Sequence, residues 1–260
     1  MFALVLFCGL LGLCIGSFLN VVIARVPEGR SVVKPRSSCP NCGHEIAGRD
    51  NIPVVSWLLL RRRCRGCRTP ISARYPIVEL LTATLFAATA WMLGPVAHLV
   101  AMLIFVASGV ALSAIDIDCL RLPIPIVYTT LGLVVAALLG AAASTGAWRH
   151  FGWAVAGCAI ACATLLAIHV AVPRGMGLGD VRLALVLGTV TGWFGPARVG
   201  LGLFLGFLIG SIVGVTVSMA KGWQRKRKIP FGPSLIMGAY MAIIAGAPIM
   251  RWYRNTAGLA

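Results

Sequence analysis

Eight apolar stretches constrain this chain more than any other feature. They run over residues 3–24, 77–93, 96–115, 124–143, 151–172, 180–195, 198–219 and 231–250. In hydrocarbon no water is available to satisfy the backbone, so such runs must pair their N–H and C=O groups internally, as helices do. The pattern predicts an all-α polytopic membrane protein with about eight transmembrane helices. Several stretches are nearer 16 than 20 residues, which calls for partial spans or a locally thinned bilayer. Composition agrees. Apolar residues make up 59% of the chain and charged residues 12%, about half the charge of an ordinary soluble domain. The first apolar run, Ala3 to Ala24, has no basic segment before it, so it reads as a first transmembrane helix rather than a cleaved signal peptide.

The net charge is +16, which in a soluble protein would suggest nucleic acid. Here its distribution follows topology. With the N-terminus outside, 19 of the 23 Lys and Arg fall in or beside cytoplasmic loops, and only Arg149, Arg198, Arg251 and Arg254 lie on the other side. That asymmetry is the positive-inside pattern, and the cationic loops suit anionic lipids rather than nucleic acid. Three regions are expected: a first helix over 1–24, a cytoplasmic loop domain over 25–76, and a membrane core over 77–260. Gly202, Gly206, Gly210 and Gly214 form a small-xxx-small stripe suited to close helix packing. The cationic run Lys221 to Lys228, with Trp223, reads as a topology anchor.

The acids are few. Glu28, Glu45 and Asp50 lie in the first loop, while Glu79, Asp116, Asp118 and Asp180 mark helix ends on the cytoplasmic side. An acid near lipid is expensive and reads as functional by default. Asp180 closes the stretch Pro173-Arg174-Gly175-Met176-Gly177-Leu178-Gly179-Asp180, where three glycines permit backbone conformations that other residues resist. Taken alone, that stretch is equally a capped cytoplasmic turn or half of a buried site.

Nine cysteines fall into two classes. Cys8, Cys14, Cys119, Cys158 and Cys162 lie in or beside apolar runs and read as small buried hydrophobes. Cys39-Pro-Asn-Cys42 and Cys64-Arg-Gly-Cys67 share one polar loop, and paired C-x-x-C elements about 20 residues apart match a four-cysteine zinc site. A loop of roughly fifty residues cannot bury a sufficient core, so a metal staple makes physical sense. His44 is a possible substitute ligand, but four cysteines already fill the site.

Taken together, these blocks resemble the type IV prepilin peptidases of bacteria. The matching stretches are Gly16-Ser-Phe-Leu-Asn20-Val-Val with Arg25 and Pro27, then Cys39-Pro-x-Cys42-x-His44 and Asn51-Ile-Pro53-x-x-Ser56-Trp57. Arg61 to Cys67 and Pro70-Ile-Ser72-x-Arg74-Tyr75-Pro76-x-x-Glu79 follow. After these come Asp116-x-Asp118-x-x-x-Leu122-Pro123, Gly175-Met-Gly177-x-Gly179-Asp180 and Ile229-Pro-Phe-Gly232-Pro. The resemblance implies an inner-membrane aspartic peptidase that removes the leader of prepilin or pseudopilin precursors. It also implies methylation of the new N-terminus with S-adenosylmethionine. It carries the two catalytic aspartates onto Asp116 and Asp180, in a loop with Gly177 and Gly179, and the zinc ligands onto Cys39, Cys42, Cys64 and Cys67. Two positions depart from the family pattern. Ile124 stands where an acid or amide usually caps the next helix, leaving Pro125 as a first-turn residue. Arg182 stands in place of a lysine, exchanging a point charge for a planar fork.

Two carboxyls can hydrolyse a peptide when one is ionised to activate water and the other is protonated to polarise the carbonyl, a division that like charges in one site favour. Asp118 rivals Asp116, but two residues on a helix are about 200° apart, so only one can face Asp180. The substrate implied is a membrane helix with a short basic leader, for whose cations the Asp pair with Glu79 is the expected partner. The loop itself, with eleven Lys and Arg from Arg25 to Arg74, is expected to dock on anionic lipid. No soluble nucleotide-binding fingerprint accompanies the methyl donor, so a peptidase without methyltransferase activity stays open. Two rival classes are a proton-coupled transporter using Asp116 and Asp180 as a relay, and a zinc-dependent scaffold. Inverted repeats, the mark of many transporters, are not apparent.

Overall fold

A computed structural model describes residues 1–173, 175–221 and 230–256. Arg174, Ile229 and the cationic stretch 222–228 with Trp223 lie outside them. The chain divides into two compact units, residues 1–95 and 96–260.

In the first unit α1 (Phe2–Arg25) and α3 (Arg74–Leu93) run antiparallel and carry the cysteine loop between them, with the short α2 (Val55–Leu59) inside that loop. Their seam is made by absent side chains. A Cβ on Gly12 would lie 2.7 Å from the Ala83 Cα, and one on Gly16 would lie 2.7 Å from the Glu79 Cα, so neither glycine tolerates a substituent. Below the glycines Asn20 Nδ2 donates to the Tyr75 carbonyl at 3.1 Å. Arg25 ends α1 and donates to the carbonyls of Ser31, Pro35 and Arg36, which folds the chain back as it leaves the helix.

The second unit comprises α4 (Leu99–Cys119), α5 (Ile124–Thr145), α6 (Trp148–Ala171), α7 (Leu178–Gly192), α8 (Pro196–Lys221), α9 (Gly232–Ile244) and α10 (Gly246–Thr256). Its core is α7, which packs against α4, α5, α6, α8 and α9 and buries ten of its 15 residues. It meets α6 along Gly157, Gly188 and Gly192. A Cβ on Gly192 would come within 3.0 Å of the Gly157 Cα, so the two backbones run in near contact. The predicted stripe on α8 does pack. Gly202 and Gly206 face Ala239 and Leu235 of α9, and Gly238 of α9 lies directly against Gly206.

All eight apolar stretches are helical, but two are not simple spans. Among the described residues six helices are long and apolar enough to cross a membrane, or seven if α9 and α10 are one broken span. The expected continuous segment 231–250 is bent by 73° between these helices. Arg198 explains the break: its guanidinium donates to the carbonyls of Ala242 and Ile243, which a continuing helix would have used. The other exception is α7 itself, at 15 residues.

Candidate active site and cysteine cluster

Asp116 lies in the last turn of α4 and is buried, whereas Asp118, two residues on and on the opposite side of the helix, is exposed. Leu120 ends the helix in a left-handed conformation, φ 52°, with its N–H on the Asp116 carbonyl at 2.9 Å. The chain then turns so that Leu122 projects between two glycine positions. A Cβ on Gly179 would be 3.4 Å from the Leu122 side chain, and one on Gly232 would be 3.3 Å from it. Helix α5 starts at Ile124 with no side-chain cap and with Pro125 in its first turn, as the departure at Ile124 implies.

Gly232 is where the third element enters. Its N–H, at the start of α9, donates to Asp116 Oδ2 at 3.0 Å, and a Cβ there would lie 2.8 Å from the same oxygen. Only glycine lets the backbone come this close to the carboxylate.

Asp180 occupies the first turn of α7. Gly177 is the N-cap, in an extended conformation, and its N–H donates to Asp180 Oδ2 at 3.3 Å, while the Asp180 N–H donates to the Gly177 carbonyl at 3.1 Å. This is the acidic half of a capping box, with the carboxylate at the positive end of the helix dipole. The preceding residue, Met176, is buried, and its carbonyl accepts from His169 Nδ1 at 2.8 Å. The Leu122 side chain packs against Gly179, next to Asp180, and against Gly232, whose N–H holds Asp116. Thus the ends of α4, α7 and α9 gather two carboxylates, each with one oxygen held by a glycine N–H. Arg182 lies half-buried one residue beyond Val181 on α7.

Glu79 belongs to the first unit. It is buried on α3, accepts from the Val54 N–H at 2.7 Å and from the Ser17 hydroxyl, and so holds Val54 at a φ of 61° beside α2. Such a conformation is rare for a β-branched residue and needs this kind of support.

The four loop cysteines converge. Their Sγ atoms all lie within 4.8 Å of one another, with Cys39 and Cys67 sulfurs 3.8 Å apart. Zn–S bonds of about 2.3 Å in a tetrahedron require sulfur separations of about 3.8 Å. The two knuckles repeat one backbone design. Gly43 N–H donates to the Cys39 carbonyl and Cys39 N–H to the His44 carbonyl; likewise Arg68 N–H donates to Cys64 and Cys64 N–H to Thr69. Gly43 and Arg68, each following the second cysteine of its knuckle, both have positive φ, 70° and 63°. His44 contributes its carbonyl to this design and is not among the clustered ligands. Thr69, through its hydroxyl and amide, and Asn41, through its carboxamide, hold the Cys67 thiol down to about 5. Arg65 forks onto Asp50 at 2.6 and 2.8 Å, tying the second knuckle to the middle of the loop and holding the Asp50 carboxyl below its usual range. Arg62 lies over the Trp57 ring at 4.9 Å, and Trp57 Nε1 donates to the Ile71 carbonyl.

At the C-terminal end of α1 the first unit holds a cavity of about 430 Å³. Phe18, Val33, Pro35 and Pro53 form its apolar walls, and Arg36 and Asn51 its polar edge.

Sequence comparisons divide the chain at nearly the same place as the fold. The bacterial peptidase A24 N-terminal domain matches residues 10–93, and the type IV leader peptidase family matches residues 102–219. A protein of Aeromonas hydrophila named prepilin leader peptidase/N-methyltransferase is 38% identical, over 94% of this chain and 91% of its own length. Proteins of the same name from Pseudomonas aeruginosa and Myxococcus xanthus are 35% and 42% identical. The first alignment covers 98% of this chain and 95% of the relative, the second 85% and 65%. No solved structure matches the chain.

Proposed function

The chain belongs to the type IV leader peptidase family, and on that premise we propose that Asp116 and Asp180 are the catalytic pair with which it cuts the leader from prepilin-like proteins. It is a multi-pass membrane peptidase. The observation that carries the assignment of the pair is the gathering of two helix ends around Leu122, with Gly232 and Gly177 each fixing one carboxylate oxygen. One carboxylate takes a proton from water as its oxygen attacks the scissile carbonyl. The other carboxyl gives its proton to the carbonyl oxygen, and the tetrahedral intermediate then collapses with protonation of the leaving amine. The fixed oxygens leave little reorganisation to be done in the transition state. The site faces the cytoplasm, the side on which cationic loops and acids are concentrated, and the substrate leader is basic.

The cysteine cluster holds zinc. Four thiolate donors at tetrahedral separations fit that ion, whose role is to fold the loop. The second activity is transfer of a methyl group from S-adenosylmethionine to the new N-terminal amine. The cavity at the end of α1 suits this donor in size, since small-molecule sites run from about 300 to 1,000 Å³. Arg36 would hold the donor's carboxylate, and Phe18 with Pro53 would line the apolar part of its site.

The test is co-expression with a prepilin carrying its leader. Asp116→Asn and Asp180→Asn should each abolish leader loss, with rates down by about 10²–10⁴-fold, while Asp118→Asn should cleave nearly as wild type. Full cleavage by either of the first two would sink the two-aspartate mechanism.

A further inference from the structure

We propose that His169 is a positioning residue for Asp180, acting through the single peptide group that joins Met176 to Gly177. The proposal rests on Asp180 serving in peptide hydrolysis.

Both polar atoms of this peptide group are used, and in opposite directions. Its carbonyl accepts from His169 Nδ1 at 2.8 Å, and its N–H donates to Asp180 Oδ2 at 3.3 Å. A carbonyl can only accept, so Nδ1 carries the proton. The peptide is planar, so an anchor on the oxygen fixes the direction in which the N–H points. A hydrogen bond to the oxygen also polarises the group and strengthens the donation from nitrogen by about 10–30%.

The two ends of this relay differ in rigidity. His169 stands in the last turn of α6, a 24-residue helix in backbone contact with α7 through Gly157, Gly188 and Gly192. The peptide it grips lies in the connection between those helices, where, among the described residues, the Gly175 N–H donates to the Val172 carbonyl at 2.9 Å. Without the imidazole, the glycine-bearing turn has a softer hold on the plane that aims at Asp180. Met176 is buried, so its carbonyl has little water to turn to instead.

The experiment measures leader cleavage by the purified full chain for wild type, His169→Leu, His169→Asn and His169→Gln, with thermal midpoints alongside. The Asn carboxamide nitrogen takes the place of Nδ1, whereas that of Gln takes the place of Nε2. Loss of one neutral hydrogen bond corresponds to roughly three- to tenfold, and that is the expected fall in kcat for His169→Leu, with KM nearly unchanged and the thermal midpoint lowered by only a few degrees. His169→Asn should recover most of the rate and His169→Gln should not. Equal rates for the Asn and Gln variants would overturn the proposal even if the Leu variant does not fold. Wild-type kcat in His169→Leu beside an inactive Asp180→Asn would overturn it alone. Wild-type cleavage by Asp180→Asn would remove the catalytic reading with it.

Discussion

Gly232→Ala isolates what one backbone approach contributes to the aspartate pair. The added methyl would stand 2.8 Å from Asp116 Oδ2 and 3.3 Å from Leu122 Cδ2. A carbon and a carboxylate oxygen do not pack at 2.8 Å, so the carboxylate must turn or α9 must withdraw. Either movement breaks the 3.0 Å hydrogen bond from the Gly232 N–H. A hydrogen bond to a charged group contributes about 1.5–3 kcal/mol, and a displacement of about 1 Å at a reacting group costs on the order of 10²-fold in rate. We expect kcat for prepilin cleavage to fall by about 10–100-fold, with KM less affected because most of the substrate's contacts do not depend on this one hydrogen bond. Single-turnover cleavage in detergent, at saturating enzyme, separates the chemical step from product release. Gly132→Ala is the control, since a Cβ there meets nothing within 4 Å. A Gly232→Ala enzyme that cleaves as fast as the control would show that the close approach has no part in placing Asp116.

Cys39→Ser or Cys64→Ser should reduce bound zinc from about one per chain to near zero by elemental analysis, since three thiolates leave the tetrahedron open. The loop should then become protease-sensitive while the membrane helices stay protected. Gly16→Leu forces a side chain against the Glu79 backbone, and overpacking of this kind costs about 1–3 kcal/mol, read as a lower thermal midpoint of the first unit. Arg36→Glu should weaken S-adenosylmethionine binding in calorimetry by about ten- to a hundredfold, the loss expected of a charged hydrogen bond, while zinc content stays unchanged.

What the sequence revealed depended on the range over which each feature is encoded. The cysteine cluster was legible because each knuckle closes within six residues, and the second simply repeats the first. Asp180 was legible because its glycines precede it directly. Helical rotation lets only one of Asp116 and Asp118 face Asp180, and the family resemblance picks Asp116; in the structure Asp116 is buried and Asp118 exposed. The stripe on α8 could be read because it repeats, but the α1 and α6 glycines matter through partners on other helices. Nothing local distinguishes Gly157 from Gly152, which has open space around it. The bend after Ile244 was hidden for the same reason, since apolar composition runs on while Arg198, forty-four residues earlier, takes the Ala242 carbonyl. His169 reads as an ordinary end-of-helix histidine, and its acceptor is a main-chain atom that no motif records.

The glycine seam between α1 and α3 has a consequence for how the metal loop forms. Residues 26–73 begin and end on two helices whose backbones are already in contact, so the loop's ends are joined before any metal arrives. Closing a free chain of this length would cost roughly 3 kcal/mol in entropy. The hairpin removes that barrier in advance, as a covalent cross-link would. Zinc therefore has only to bring two preshaped knuckles together inside a tethered ring, and chelation followed by metal return should restore the loop without disturbing the membrane helices that hold it.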